Sequence, residues 1–343
     1  MITPLRCGVD TLEATFFGEL SPEIVEALKG CKEEAQAKDM GVEITLGRNT
    51  FHVMPKGAGL WPYVIRNDNL LIRLGTARNL PPMSVRLLAE GLASLGADRL
   101  WAQAQEIGHD LGLTARNCSR VDIALDFQGE RFTFEEMLNV VCPASFRPVY
   151  PNTVNPQTFQ FGKGAIVVRL YDKTAEIAGK DNRWWPFVWR LADGYHEGEP
   201  VYRAEVQLRG VALKELGYQG VDSVIAGIRE LFSYGLTWCS LRTPNADSNR
   251  SRWPEEPRWA MLRTAFPPSH ALGRTRPVSV LIEYDAVVKR YVSLVTSAGA
   301  STGNTDFWEL SRMITTDAEQ LIEREIDTTL IELVEKKRKR KYL

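Results

Sequence analysis

The chain has 343 residues, 44% of them apolar and 25% charged, enough for one large domain or two ordinary ones with well-buried cores. Its formal net charge of −1 rules out arguing for a nucleic-acid ligand from overall charge, so any positive surface has to come from local clustering. The five cysteines (Cys7, Cys31, Cys118, Cys142, Cys239) form no CxxC pair, which speaks against a disulfide framework or a zinc site and for reduced thiols. With no basic-then-apolar leader and no apolar run of membrane-spanning length, a soluble, cytoplasmic chain without a membrane partner is expected.

In chain order, residues 8–17 read as a strand. Ser21-Pro22-Glu23 opens a helix to about residue 38, with Ser21 as cap and Pro22 in the first turn. Strands are expected at 42–46, 50–54 and 63–74, followed by helices at 84–95 and 99–111. After a strand at 119–127, Thr133 and Glu136 have the spacing of a capping box for a short helix. Residues 158–161 and 165–173 read as a hairpin around Gly162-Lys163-Gly164, and residues 201–209 as a further strand. Helices at 211–216 and 221–232 precede a polar, proline-containing stretch at 245–257. Beyond it the pattern is helical: 279–296, 306–314, and a last helix capped by Thr316 and Glu319. That helix carries an apolar stripe from Ile322 to Leu333 and ends in a basic run at 336–341.

Mixed strands and helices with hairpins predict an α+β fold with a mostly antiparallel sheet and flanking helices. The element order after residue 127 loosely repeats that before it. A domain of 1–244 built from halves 1–127 and 128–244 is therefore expected, with a helical C-terminal region at 258–343. The apolar stripe suits a helix docked on its own domain better than a dimer contact.

Three strands carry one apolar and one chemically loaded face, because side chains alternate with period two. Arg120, Asp122 and Asp126 share a face in 119–127; Arg169, Tyr171 and Lys173 share one in 165–173; Arg203, Glu205, Gln207 and Arg209 share one in 201–209. Asp122 and Asp126 stand roughly 13 Å apart along an ideal strand, too far for one ion, so Asp122 and Glu205 on adjacent strands are the better pair. Carboxylates suit Mg²⁺ or Mn²⁺; cross-strand salt bridges to Arg120 and Arg203 explain the same pattern, and both readings stand at this point. Tyr171 is either an ordinary strand tyrosine or a nucleophile whose phenol nearby cations activate.

The four histidines show no metal-binding spacing, and Gly162-Lys163-Gly164 lacks the pattern of a phosphate loop. The aromatics at 183–190 and 250–259 flank arginines and suit base stacking, although packing on the domain is the simpler account of Trp184, Trp185 and Trp189.

The succession R-x-D-x-A-x-D (120–126), V-R-L-Y-D-K (168–173) and Y-R-A-E-V-Q-L-R (202–209) resembles the replication initiation factor family often called Rep_trans. That family includes rolling-circle initiators of small plasmids, phage relatives and nickases of conjugative elements. The match covers about 119–217 and extends weakly to 8–17. The resemblance implies a saddle-like sheet of two related halves and a DNA nicking and closing enzyme. Tyr171 would attack a phosphodiester at the origin, keep the 5′ phosphate and free a 3′-OH. Lys173 and Arg169 would support the phosphate; Asp122, Glu205 and, less directly, Asp126 would hold Mg²⁺ or Mn²⁺. Arg120, Arg203, Gln207 and Arg209 would contact the DNA at a single-stranded or hairpin nick site. No organic cofactor is implied, and a second copy of the chain and a helicase are candidate partners. Two rivals keep the same face: a hydrolytic metal-dependent nuclease, and a non-catalytic origin-binding protein.

Overall fold

The computed structural model describes residues 2–144, 146–148, 158–178, 184–266, 272 and 284–321. They belong to two units, Met1–Arg276 and Pro277–Leu343.

The first unit begins with β1 (Ile2–Phe17), and α1 (Pro22–Lys38) follows where Ser21 Oγ accepts the Ile24 N–H. A meander then runs through β2 (Val42–Leu46), β3 (Asn49–Val53), β4 (Tyr63–Arg66), β5 (Leu70–Leu74) and β6 (Met83–Leu87) back to the side of β1. Helices α2 (Ala89–Ser94) and α3 (Ala97–Asp110) close this half. The second half repeats the plan. β7 (Thr114–Gly129) is followed by α4 (Phe134–Met137), for which Thr133 and Glu136 form the expected capping box. Then come β8 (Val140–Val141), β9 (Phe146–Pro148), β10 (Thr158–Phe161), β11 (Ile166–Asp172), α5 (Lys173–Ala178), α6 (Trp185–Trp189) and β12 (Tyr202–Arg209), which returns beside β7. Next are α7 (Gly210–Glu215), α8 (Val221–Ala226), α9 (Ile228–Trp238), β13 (Ser240–Leu241) and α10 (Pro257–Thr264).

Eleven strands form one sheet in the order β2-β3-β4-β5-β6-β1-β7-β12-β11-β10-β9, and every pairing in it is antiparallel. Outward from the central β1–β7 pair, the order is the same on both sides: a long strand, the last strand of its own meander, then the rest of the meander to the edge. The fold is thus α+β with two pseudo-repeated halves. β8 and β13 pair separately as a two-stranded ribbon.

One sheet face is the core. Leu12, Ala14 and Phe16 of β1, Val121, Ile123 and Leu125 of β7, and Ala204, Val206 and Leu208 of β12 are all buried there. α3 brings Leu100, Trp101, Ala104 and Ile107, and α9 brings Leu231, Phe232 and Leu236. Burying each large apolar side chain contributes about 1.5–3 kcal/mol, which fixes which way every strand faces. The helices seat through glycines. A Cβ on Gly108 would lie 2.4 Å from the Phe16 ring, and one on Gly235 would lie 2.3 Å from Val206.

Three expectations are corrected in this unit. Residues 84–95 do not make one helix: 83–87 is strand β6, hydrogen-bonded on both sides by β1 and β5, and the helix starts only at Ala89. The Met-Ser-Val-Arg-Leu alternation there wins because both neighbours offer unpaired backbone. Residues 63–74 are two strands, since the Asn67 side chain accepts the N–H groups of Asn69 and Leu70 and turns the chain. Residues 221–232 break at Gly227, where a Cβ would meet the Tyr218 ring.

The second unit contains α11 (Tyr284–Thr302) and α12 (Phe307–Leu321), joined at Gly303 (φ +74). Asp306 caps α12 by accepting the N–H groups of Trp308 and Glu309. Thr316 and Glu319 therefore lie inside α12 and do not start a new helix. The stripe from Ile322 to Leu333 and the basic run at 336–341 lie outside the described residues. Among the described residues no helix is long and apolar enough to cross a membrane.

Candidate functional site

The sheet face opposite the core carries the loaded residues of β7, β11 and β12, and the register decides their partners. Arg203 on β12 lies opposite Asp126 of β7 on one side and Tyr171 of β11 on the other. Glu205 faces Ala124 and Arg169, and Gln207 faces Asp122, which makes Asp122 and Glu205 diagonal neighbours.

At the centre is a fully enclosed ion pair. Arg203 is 0% exposed and Asp126 1%. The guanidinium donates Nε to Asp126 Oδ1 at 2.5 Å and Nη2 to Oδ2 at 2.9 Å, while Nη1 reaches Asp10 Oδ1 at 2.5 Å. Trp189 Nε1 donates a third bond to Asp126 Oδ2 at 2.9 Å. Burial opposes the charge on Arg203, but Asp126 and Asp10 outweigh it and hold the group charged well above its usual range. The Trp185 ring covers the guanidinium at 4.3 Å and stacks on Trp184 and Trp189. The tryptophan segment is thus a packed cap over the ion pair, with Arg6 and Lys173 also near the Trp185 face.

Beside this pair, Tyr171 donates its O–H to Glu205 Oε2 at 3.1 Å. Arg169 donates Nη1 to Glu205 Oε1 at 2.6 Å and is itself held by Gln160 at 3.0 Å and Gln207 at 3.1 Å. Burial, followed by the nearby Asp10 and Asp122 charges, raises the Glu205 carboxyl. Burial and the Glu205 charge raise the Tyr171 phenol well above its usual range, against the lowering effect of Arg203. A phenol so placed does not ionise unaided near neutral pH and needs an acceptor for its proton. Lys173 opens α5 with Nζ 2.6 Å from Glu176 Oε2 and 5.9 Å from the Tyr171 ring.

Arg120 grips Asp122 with both oxygens engaged, Nε at 2.8 Å and Nη2 at 2.5 Å. Burial still raises the Asp122 carboxyl. The face continues across β1, β6 and β5, where Glu13 takes Arg86 at 2.6 Å and Arg73 at 3.4 Å. Arg209 faces Arg120 and is exposed.

The expected ligand set does not make a divalent-ion site in this arrangement. Both oxygens of Asp122, Asp126 and Glu205 are already taken by arginine, tryptophan or tyrosine donors. Among the described residues, no group of three or more His, Cys, Asp and Glu side chains could hold a metal ion. The salt-bridge reading therefore accounts for Asp126 and Arg203, and Tyr171, Glu205, Arg169 and Gln207 form a separate connected group.

Asp10 escaped the sequence reading. The β1–β7 register shifts between Val9 and Thr11, so Asp10 is the extra residue of a bulge. The signal was present: Val9 and Leu12 are both core residues three apart, which no regular strand allows.

No family model matches the sequence, and no curated protein matches it. Among solved structures, the chain is similar to one described as a rolling circle replication initiator protein from Geobacillus stearothermophilus. The two share 18% identity over 80% of this chain and 100% of that one, with a TM-score of 0.45. Likeness at that level assigns no activity.

Proposed function

We propose that the chain nicks and rejoins DNA in the manner of a rolling-circle replication initiator, with Tyr171 as the attacking group. The observation that carries this reading is the Tyr171 O–H bonded to Glu205 Oε2 at 3.1 Å, with Arg169 bound to the other carboxylate oxygen. Nucleophile, base and a group orienting the base stand in series, the arrangement that nucleophilic catalysis needs. The order of the three strand motifs points the same way.

In the proposed step, Tyr171 Oη attacks a backbone phosphorus while its proton passes to Glu205 Oε2. The bond from phosphorus to the 3′ oxygen breaks and that oxygen takes a proton from water, leaving the 5′ phosphate on tyrosine and a free 3′-OH. Arg169, partly exposed beside Tyr171, supplies positive charge where the phosphate oxygens gain it. Asp126, Arg203 and the tryptophan cap hold β12 against β7 and so keep Glu205 in place. Because the phosphodiester is exchanged for a phosphotyrosine of similar energy, the reverse attack by a 3′-OH rejoins the strand without ATP.

A supercoiled plasmid bearing the chain's native flanking DNA, incubated with Mg²⁺, Mn²⁺ or chelator, tests the reading. Nicking with protein joined to the 5′ end, lost in Tyr171→Phe, supports it. Free 5′ phosphates without an adduct favour hydrolysis by water, and metal-independent binding without cleavage favours an origin-binding protein. Full nicking by Tyr171→Phe removes Tyr171 from the mechanism.

A further inference from the structure

The β8–β13 ribbon lies apart from the main sheet, and its register is fixed by Ser240 opposite Val141 and Leu241 opposite Val140. Continued by one residue, the same register puts Cys239 opposite Cys142. Facing pairs in an antiparallel ladder alternate between hydrogen-bonded and non-hydrogen-bonded. Counting from the Arg242 N–H bond to Asn139 O, Cys239 and Cys142 fall on a non-hydrogen-bonded pair. There the Cα atoms approach to about 4.5 Å, inside the range a disulfide spans. Each thiol shifts the other's protonation, as close neighbours do. The other three cysteines are also free thiols.

We propose that Cys142 and Cys239 form a reversible intramolecular disulfide, a redox-modifiable site at the two ends of the segment that carries Tyr171 and Glu205. The pair is chemically asymmetric, as a two-step exchange requires. Cys142 is partly exposed, and its thiol is lowered by the Cys239 contact, against burial, with help from the Ala144 backbone. Cys239 is buried, and burial followed by the Cys142 contact raises it well above the usual thiol range. The Cys142 thiolate attacks a low-molecular-weight disulfide such as oxidised glutathione, forming a mixed disulfide and expelling one glutathione thiolate. Cys239 then loses its proton to solvent and attacks Cys142 Sγ, expelling the second. Two protein thiols are oxidised, one glutathione disulfide is reduced, and the electrons balance. Cys7 and Cys118, each pushed up to about 12 chiefly by burial, are poor competitors for the first attack. The bond would close a loop containing β9 to β12, tying together strands that the short ribbon otherwise joins through a few backbone bonds.

The full chain is equilibrated in glutathione redox buffers, acid-quenched, alkylated and analysed by intact mass and peptide mapping. The expected product has lost two hydrogens, joins the Cys142 and Cys239 peptides, reverts with dithiothreitol and melts at a higher temperature than the reduced chain. Cys239→Ser should stop at a glutathione adduct on Cys142, and Cys142→Ser should give neither product. A wild-type chain that keeps glutathione on Cys142, pairs another cysteine, fails to react, or melts lower when oxidised would overturn the proposal. None of these readouts depends on DNA, so they stand or fall separately from the nicking reaction.

Discussion

Asp126→Asn separates the two roles this carboxylate could have. The substitution preserves shape and deletes one charge next to Arg203, which has no solvent to turn to at 0% exposure. Breaking a buried pair from one side costs about 3–5 kcal/mol, because the surviving charge is left uncompensated. Here Asp10 stays bound to Nη1 at 2.5 Å, which places the loss near the low end, about 3 kcal/mol. At about 2–4 °C per kcal/mol, the thermal midpoint should fall by about 6–12 °C. Nine tryptophans, three of them in the cap over this pair, make fluorescence the natural probe for heat and urea denaturation. The companion double variant Asp126→Leu with Arg203→Met removes this pair but leaves the Asp10 carboxylate and the Trp189 N–H without their partners, so it should recover only part of the loss. A variant that melts with the parent yet has lost nicking would refute the structural assignment and return Asp126 to the chemistry.

Glu205→Gln should lower the nicking rate by about 10²–10⁴-fold, the usual worth of a general base. Because the folded carboxyl is raised, the wild-type rate should fall as pH drops through a value above the ordinary glutamate range. The stability sign is the opposite of the usual salt-bridge case. A raised carboxyl destabilises its ionised form, a penalty absent below the unfolded pKa and complete above the folded one. Glu205→Gln should therefore match or exceed the parent's stability at pH 7 and show no gain in acid, by urea titration at both. Gly235→Ala, whose Cβ would meet Val206 at 2.3 Å, should cost about 1–3 kcal/mol by overpacking α9 on β12. An unchanged urea midpoint would show that α9 can shift freely.

The alternation of 119–127, 165–173 and 201–209 was legible because a half-buried strand has to put every second side chain into the core. That alone placed Asp122, Tyr171 and Glu205 on the face away from the apolar layer. The caps at Ser21 and Thr133 were legible for a similar reason, since their hydrogen bonds close within three residues. Strand β6 was not legible: five residues with both helix-compatible and strand-compatible spacing take their state from two neighbours distant in sequence.

The composition of the loaded face follows from the order of residues alone, because period-two alternation is a local property of each strand. Which of these side chains bind one another is a property of the folded chain. Partners are set by register between strands, and a slip of one residue moves every side chain to the other face. The bulge that turns Asp10 toward Arg203 lies in one strand, the Trp189 bond to Asp126 comes from a helix far along the chain, and Glu205 meets Tyr171 through a pairing fixed by turns elsewhere. The same register also divided the carboxylates, giving Asp126 to a buried arginine and leaving Glu205 facing a tyrosine.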